Sequence, residues 1–117
     1  MNLEELLRKR LVEKTERDAK AADSLLLNAE RDLKVAEGNL KMGNSDWALA
    51  IAYNAMLSSG RALMAREGYR ATSESHHFAV VQFCATFLPE KTSGLANAFN
   101  RYRVRRHDVV AAIREIK

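Results

Sequence analysis

The chain has 117 residues, 47% apolar and 29% charged, with a formal net charge of +4, one cysteine and one proline. That length supports one hydrophobic core, so a single domain over 1–117 is expected, and the apolar fraction excludes disorder for the chain as a whole. The lone Cys84 excludes an internal disulfide and fits a reducing compartment. With no apolar h-region behind a basic start and no run of about 18 apolar residues, the expected location is the cytoplasm, with no membrane span.

The elements follow from apolar spacing and sparse punctuation. From Asn2 to Met42, Leu3, Leu6, Leu7, Leu11, Ala19, Ala22, Leu26, Ala29, Leu33, Ala36 and Leu40 recur every three or four places or at multiples of that interval. This predicts one long amphipathic helix with a bend near Thr15, since nothing in the stretch forces a break. Gly43-Asn44-Ser45-Asp46 is the first firm stop, a glycine followed by side chains able to cap the next helix. The second helix runs from Asp46 toward Gly68, the expected left-handed terminus, and is apolar around nearly its whole circumference from Trp47 to Leu57. It belongs in the middle of a bundle, with Trp47 in the core and with Tyr53 and Asn54 requiring polar partners there. Arg61 is placed at an interhelical groove or a subunit boundary.

A third helix is expected over about Ser75–Leu88, burying Phe78, Val81, Cys84 and Phe87 or Leu88 before Pro89 ends it. His76-His77 at its start is read as a helix-terminus feature. Adjacent histidines diverge by about 100° on a helix, and no cysteine or carboxylate set completes a metal site. A fourth helix begins near Thr92 or Ser93. Few β-branched residues and no alternating pattern leave an all-α fold, an antiparallel up-down bundle of four to five helices.

The last helix carries the charge. Residues 1–100 hold thirteen Lys and Arg against thirteen Asp and Glu, whereas residues 101–117 hold six against two. Leu95, Phe99, Tyr102, Val109, Ile113 and Ile116 form an apolar stripe, and the member missing from its centre line is Arg106, seven residues from both Phe99 and Ile113. A guanidinium there costs several kcal/mol unless an anion, carbonyls or a solvated crevice meets it. A carboxylate of another helix, such as Asp46 or Glu67, is one such partner. Arg101, Arg103 and Arg105 in isolation read as a solvated basic face. No nucleotide-binding glycine loop, nucleophile elbow or metal motif appears, and no cofactor is expected.

The stretch AYNAMLSSGRALMAREGYRATSESHH, Ala52 to His77, followed by the Arg- and His-bearing last helix, resembles the HEPN domain family. The resemblance implies a helical bundle that forms homodimers. Active members are metal-independent ribonucleases whose motif is an arginine, four to six residues, then a histidine, with two copies brought together in a dimer cleft. Several are toxins whose antitoxin is a minimal nucleotidyltransferase.

Carried onto this chain, Arg101 and His107 fit the motif with five residues between them, although Tyr102 stands where a polar residue is common. A second register starts at Arg106 and meets Ala111 where a histidine or tyrosine is expected. The candidate catalytic residues are therefore Arg101, Arg106 and His107, with Arg103 and Arg105 as RNA contacts. In one straight helix Arg101 and His107 are about 9 Å apart along the axis and diverge by roughly 120°, so a two-fold dimer has to complete the site. Two functions remain open: a ribonuclease acting on RNA, and a non-catalytic bundle that binds a nucleotidyltransferase partner or a nucleotide.

Overall fold

The computed structural model describes residues 2–72, 76–87 and Arg101. Their elements run α1 (Leu3–Arg8), β1 (Val12–Lys14), α2 (Ala19–Lys41), α3 (Ser45–Glu67), β2 (Tyr69–Ala71) and α4 (His76–Phe87). The protein is mainly α-helical, a helical bundle with one small two-stranded sheet. No described helix is long and apolar enough to cross a membrane.

The bundle is organised around α2 and α3. A tight turn through Gly43, whose φ is 83°, reverses the chain, and the two helices then pack against each other antiparallel. Ala22, Ala29 and Ala36 on α2 and Ala48, Ala55 and Ala62 on α3 are all buried. Each set repeats every seven residues, which keeps a stripe on one side of a helix. Methyl groups along the seam allow the backbones to approach more closely than leucines would.

The larger side chains pack elsewhere. Tyr53, Leu57 and Met64 of α3 join Leu6, Val12 and residues 79–81, 83 and 84 of α4 in the main core. Gly60 lies where α3 packs on α4: a Cβ built there would lie 2.5 Å from Val80 Cγ1 and 3.0 Å from Cys84 Sγ. Burial pushes the Cys84 thiol up to about 11, so it behaves as a small apolar group.

The first forty residues correct the sequence expectation. Instead of one helix, α1 ends after two turns, capped at its start by the Asn2 side chain, which accepts from the Glu5 N–H. Arg10 then adopts φ 57°, and the Leu11 N–H returns to the Leu6 carbonyl. This turn sends Val12–Lys14 out to pair antiparallel with β2, Val12 opposite Ala71 and Lys14 opposite Tyr69. Thr15 and Asp18 donate backbone bonds to Gly68 and Ala65, and the Asp18 side chain caps α2 through the Ala21 N–H. The pairing that breaks the helix lies nearly sixty residues away, beyond the reach of local periodicity.

Other expectations divide. Gly68 does end α3 in the left-handed conformation, φ 84°. Val81 and Cys84 are buried as expected, whereas Phe87 is 38% exposed and Phe83 is the fully buried aromatic of α4. Trp47 is 68% exposed; it sits in the first turn of α3, while the core takes that helix from Tyr53 onward. Asn54 is exposed rather than hydrogen-bonded in the core.

Gly60→Ala places a methyl against Val80 and Cys84 in the α3–α4 contact. It is expected to destabilise the protein by about 1–3 kcal/mol, the usual range for an overpacked core, measured as a lower denaturation midpoint at unchanged slope in urea.

Candidate functional site

Of the residues singled out in the sequence, the described structure brings Tyr53, Arg61, His76 and His77 together. All four face the junction of α3 with the start of α4. Tyr53 is buried on α3, and its hydroxyl lies 3.3 Å from His77 Nδ1, with the rings edge to face. Two turns further along α3, Arg61 Nε donates to His76 Nε2 at 2.7 Å. The alternation of Arg61 with buried Gly60 and Ala62 explains its placement: its neighbours face the packed sides of α3, so its guanidinium emerges at the edge.

The Arg61–His76 contact fixes the chemistry of the imidazole. An arginine cannot accept, so His76 Nε2 must present its lone pair, and the ring is neutral with its proton on Nδ1. Desolvation first, and then the Arg61 charge, hold the His76 pKa below its ordinary 6.5. The lone pair a general base would use is already engaged by Arg61. The pair is therefore built to position the start of α4, rather than to abstract a proton.

Beside it lies a cleft of about 280 Å³ whose lining includes Arg61, His76, Tyr69, Arg70, Glu16 and Asp18. Arg70 is tied to Glu13 across the small sheet, and Asp18 is committed to its cap. Among the described residues no three His, Cys, Asp or Glu side chains form a group that could hold a metal. Nothing in the sequence signalled the Arg61–His76 pair, because its two members belong to different helices.

The five candidates in the last helix stand differently. Arg101 is described and exposed. Arg103, Arg105, Arg106 and His107 lie outside the described residues, as do the expected start of the last helix near Thr92 and the whole of its expected apolar stripe.

Acid should act through His76. Its lowered pKa means that the unfolded chain binds the proton more tightly, so the contribution of this histidine is complete above pH 6.5 and is lost as the pH falls through its folded value. His76→Gln keeps an acceptor for Arg61 without the titration. The expected outcome is a melting temperature that falls less between pH 7 and pH 5 in the variant than in the parent, measured by circular dichroism.

No curated protein and no solved structure matches the chain. The HEPN domain family model does match, over residues 22–109, a span that takes in most of α2, then α3, β2, α4 and the sequence through Arg101 and His107. With helical architecture and family match in agreement, the chain belongs to the HEPN domain family.

Proposed function

We propose that this protein, one domain over 1–117 working in the cytoplasm, is a metal-independent endoribonuclease that cleaves RNA at a cleft between two copies of the chain. The observation that carries the reading is that the family match includes the Arg101–His107 spacing. Arg101, the one described member of that pair, is exposed to solvent, as a phosphate-binding group must be.

The chemistry requires no metal. The ribose 2′-hydroxyl is the internal nucleophile: its oxygen bonds to the adjacent phosphorus as the bond to the 5′-oxygen of the next nucleotide breaks, leaving a 2′,3′-cyclic phosphate and a 5′-hydroxyl that takes its proton from solvent. His107 takes the hydroxyl proton, and cations stabilise the charged phosphorane. Arg101 supplies such a cation, with Arg106 as the alternative of the second register. Arg103 and Arg105 hold the flanking phosphates, a sequence-independent contact that weakens with salt. Two copies of the helix facing each other across a two-fold axis would offset the 120° divergence of Arg101 and His107 within one copy. As a toxin component, the protein would be neutralised by a minimal nucleotidyltransferase.

A second reading is supported by the departures at Tyr102 and Ala111: a non-catalytic bundle that binds the nucleotidyltransferase or a nucleotide. The two readings separate in one assay. Purified protein incubated with RNA in excess chelator is expected to cleave it, and His107→Ala and Arg101→Ala are each expected to lower the rate by about 100-fold or more, with circular dichroism unchanged. Absence of cleavage by the parent protein, together with tight binding of the nucleotidyltransferase, would establish the second reading instead.

A further inference from the structure

One face of the α2–α3 hairpin is apolar and open to water in the whole chain. On α2, Leu26, Leu33 and Leu40 are 43%, 47% and 61% exposed, and on α3 Leu49 and Met56 are 51% and 36% exposed. Each α2 leucine follows a seam alanine by four residues, about 40° around the helix, and Leu49, Met56 and Leu63 each follow one by a single residue, about 100° around. Because the helices run in opposite directions, both rotations open toward the same side. A hollow of about 200 Å³ whose lining includes Ala22, Leu26, Ser59, Ala62 and Leu63 lies between the two rows. A lone surface leucine needs no explanation, whereas contiguous apolar rows on two helices mark a surface that binds something.

The same face carries charges in a self-complementary order. Asp23, Glu30, Lys34 and Lys41 are all exposed and share a strip of α2 about 40° wide on the solvent side of the leucines. Asp23 and Glu30 border a surface hollow with Leu26 and Leu27. Among the described residues none of these four charges is paired within the chain. The two acids lie toward the start of the helix and the two lysines toward its end, nine and two positions to either side of Asp32. Turning α2 end over end about the level of Asp32 therefore sets Asp23 against Lys41 and Glu30 against Lys34. Ala22 lies beside Ala62 in the hollow, which puts the same level of α3 near Ala52. Leu49 and Met56, three and four residues to either side of it, exchange places in the same turn.

We propose that this face seats the same face of a second copy of the chain, with the two-fold axis perpendicular to the helices at the level of Asp32. In that arrangement α2 lies antiparallel on α2 and α3 on α3. Each Asp23 meets Lys41 of the other copy and each Glu30 meets Lys34, while Leu33 packs beside its own counterpart, Leu26 near Leu40, and Leu49 against Met56. Glu37, on the leucine side of the charged strip, comes level with Leu27 of the other copy and stays one turn from Lys41 of its own. The alternative two-fold, with its axis along the helices, lays the charged strip of α2 on the apolar row of α3 and desolvates those charges without partners. The area is also sufficient. Between Asp23 and Lys41 the face is about 27 Å long and roughly 20 Å wide, on the order of 500 Å² of footprint per copy, the size at which a specific contact becomes stable. The ribonuclease reading requires two copies; this assignment names the face that joins them, and it stands or falls on association whether or not RNA is cleaved.

The test is the mass of the full chain in solution, read by light scattering during size exclusion at micromolar concentration. The parent is expected to give twice the chain mass. Leu33→Glu with Met56→Glu, both at exposed positions, should give the single-chain mass with circular dichroism unchanged. Asp23→Lys alone should raise the dimer dissociation constant by about tenfold at low salt, and Lys41→Asp added to it should recover most of that loss. Residues 23 and 41 are about 27 Å apart along one helix, so recovery can arise only between copies. A single-chain mass for the parent, a two-chain mass that survives Leu33→Glu with Met56→Glu, or no recovery in the charge swap would each overturn the assignment. If the two-chain species survives those changes and still cleaves RNA, this assignment falls while the ribonuclease reading stands.

Discussion

The close approach of α2 and α3 along a row of alanines is the constraint from which the rest of the architecture follows. Alanine buries little area, so the seam contributes little hydrophobic free energy per residue compared with a leucine zipper. What it supplies is shape, together with the strongest intrinsic helix propensity of any residue. Six methyl groups at a seven-residue period hold two 23-residue helices in register. Because the seam is narrow, the large apolar side chains cannot lie within it. They are displaced to its flanks, and each flank becomes a surface that another element can cover.

One flank of α3 is covered by the elements that complete the core. Gly60 allows α4 to approach, and α1 and the strand pair close over Leu6, Val12 and Phe83. The polar groups at this junction are arranged to avoid buried charge. Arg61 meets a neutral imidazole, and no described side-chain nitrogen or oxygen is buried without a partner. Burial first, and then the Arg61 charge beside it, hold the His76 pKa down, which makes the start of α4 an acid-sensitive point of the described fold.

How much of this was legible in the sequence depended on whether the cause was local. Helices α3 and α4 were readable because Gly68, Pro89 and the apolar runs between them are local signals. The seven-residue alanine and leucine rows were visible too, but as a single broad face. Only the packing separates the row that is buried from the row that is not. The break after Arg8 was not legible, because Val12–Lys14 leaves the helix to pair with residues about fifty-seven positions away. The exposure of Trp47 was likewise hidden: its hydrophobicity is intrinsic, but its position beyond the core end of α3 is tertiary. For the candidate site, spacing and family likeness offered Arg101 and His107 as candidates, whereas the contact between Arg61 and His76 emerged only from the fold.

The two readings of the last segment place different demands on its arginines. A ribonuclease site needs cations that reach phosphate and are not already neutralised by the protein, since a committed guanidinium stabilises a phosphorane less. A helix with an arginine in its apolar centre line needs the opposite, a carboxylate close by, because an unpaired charge there opposes packing. One residue cannot meet both demands at once. The sequence offers a residue for each: Arg101 is exposed, and Arg106 is the one that the expected apolar stripe of the last helix places in its centre line.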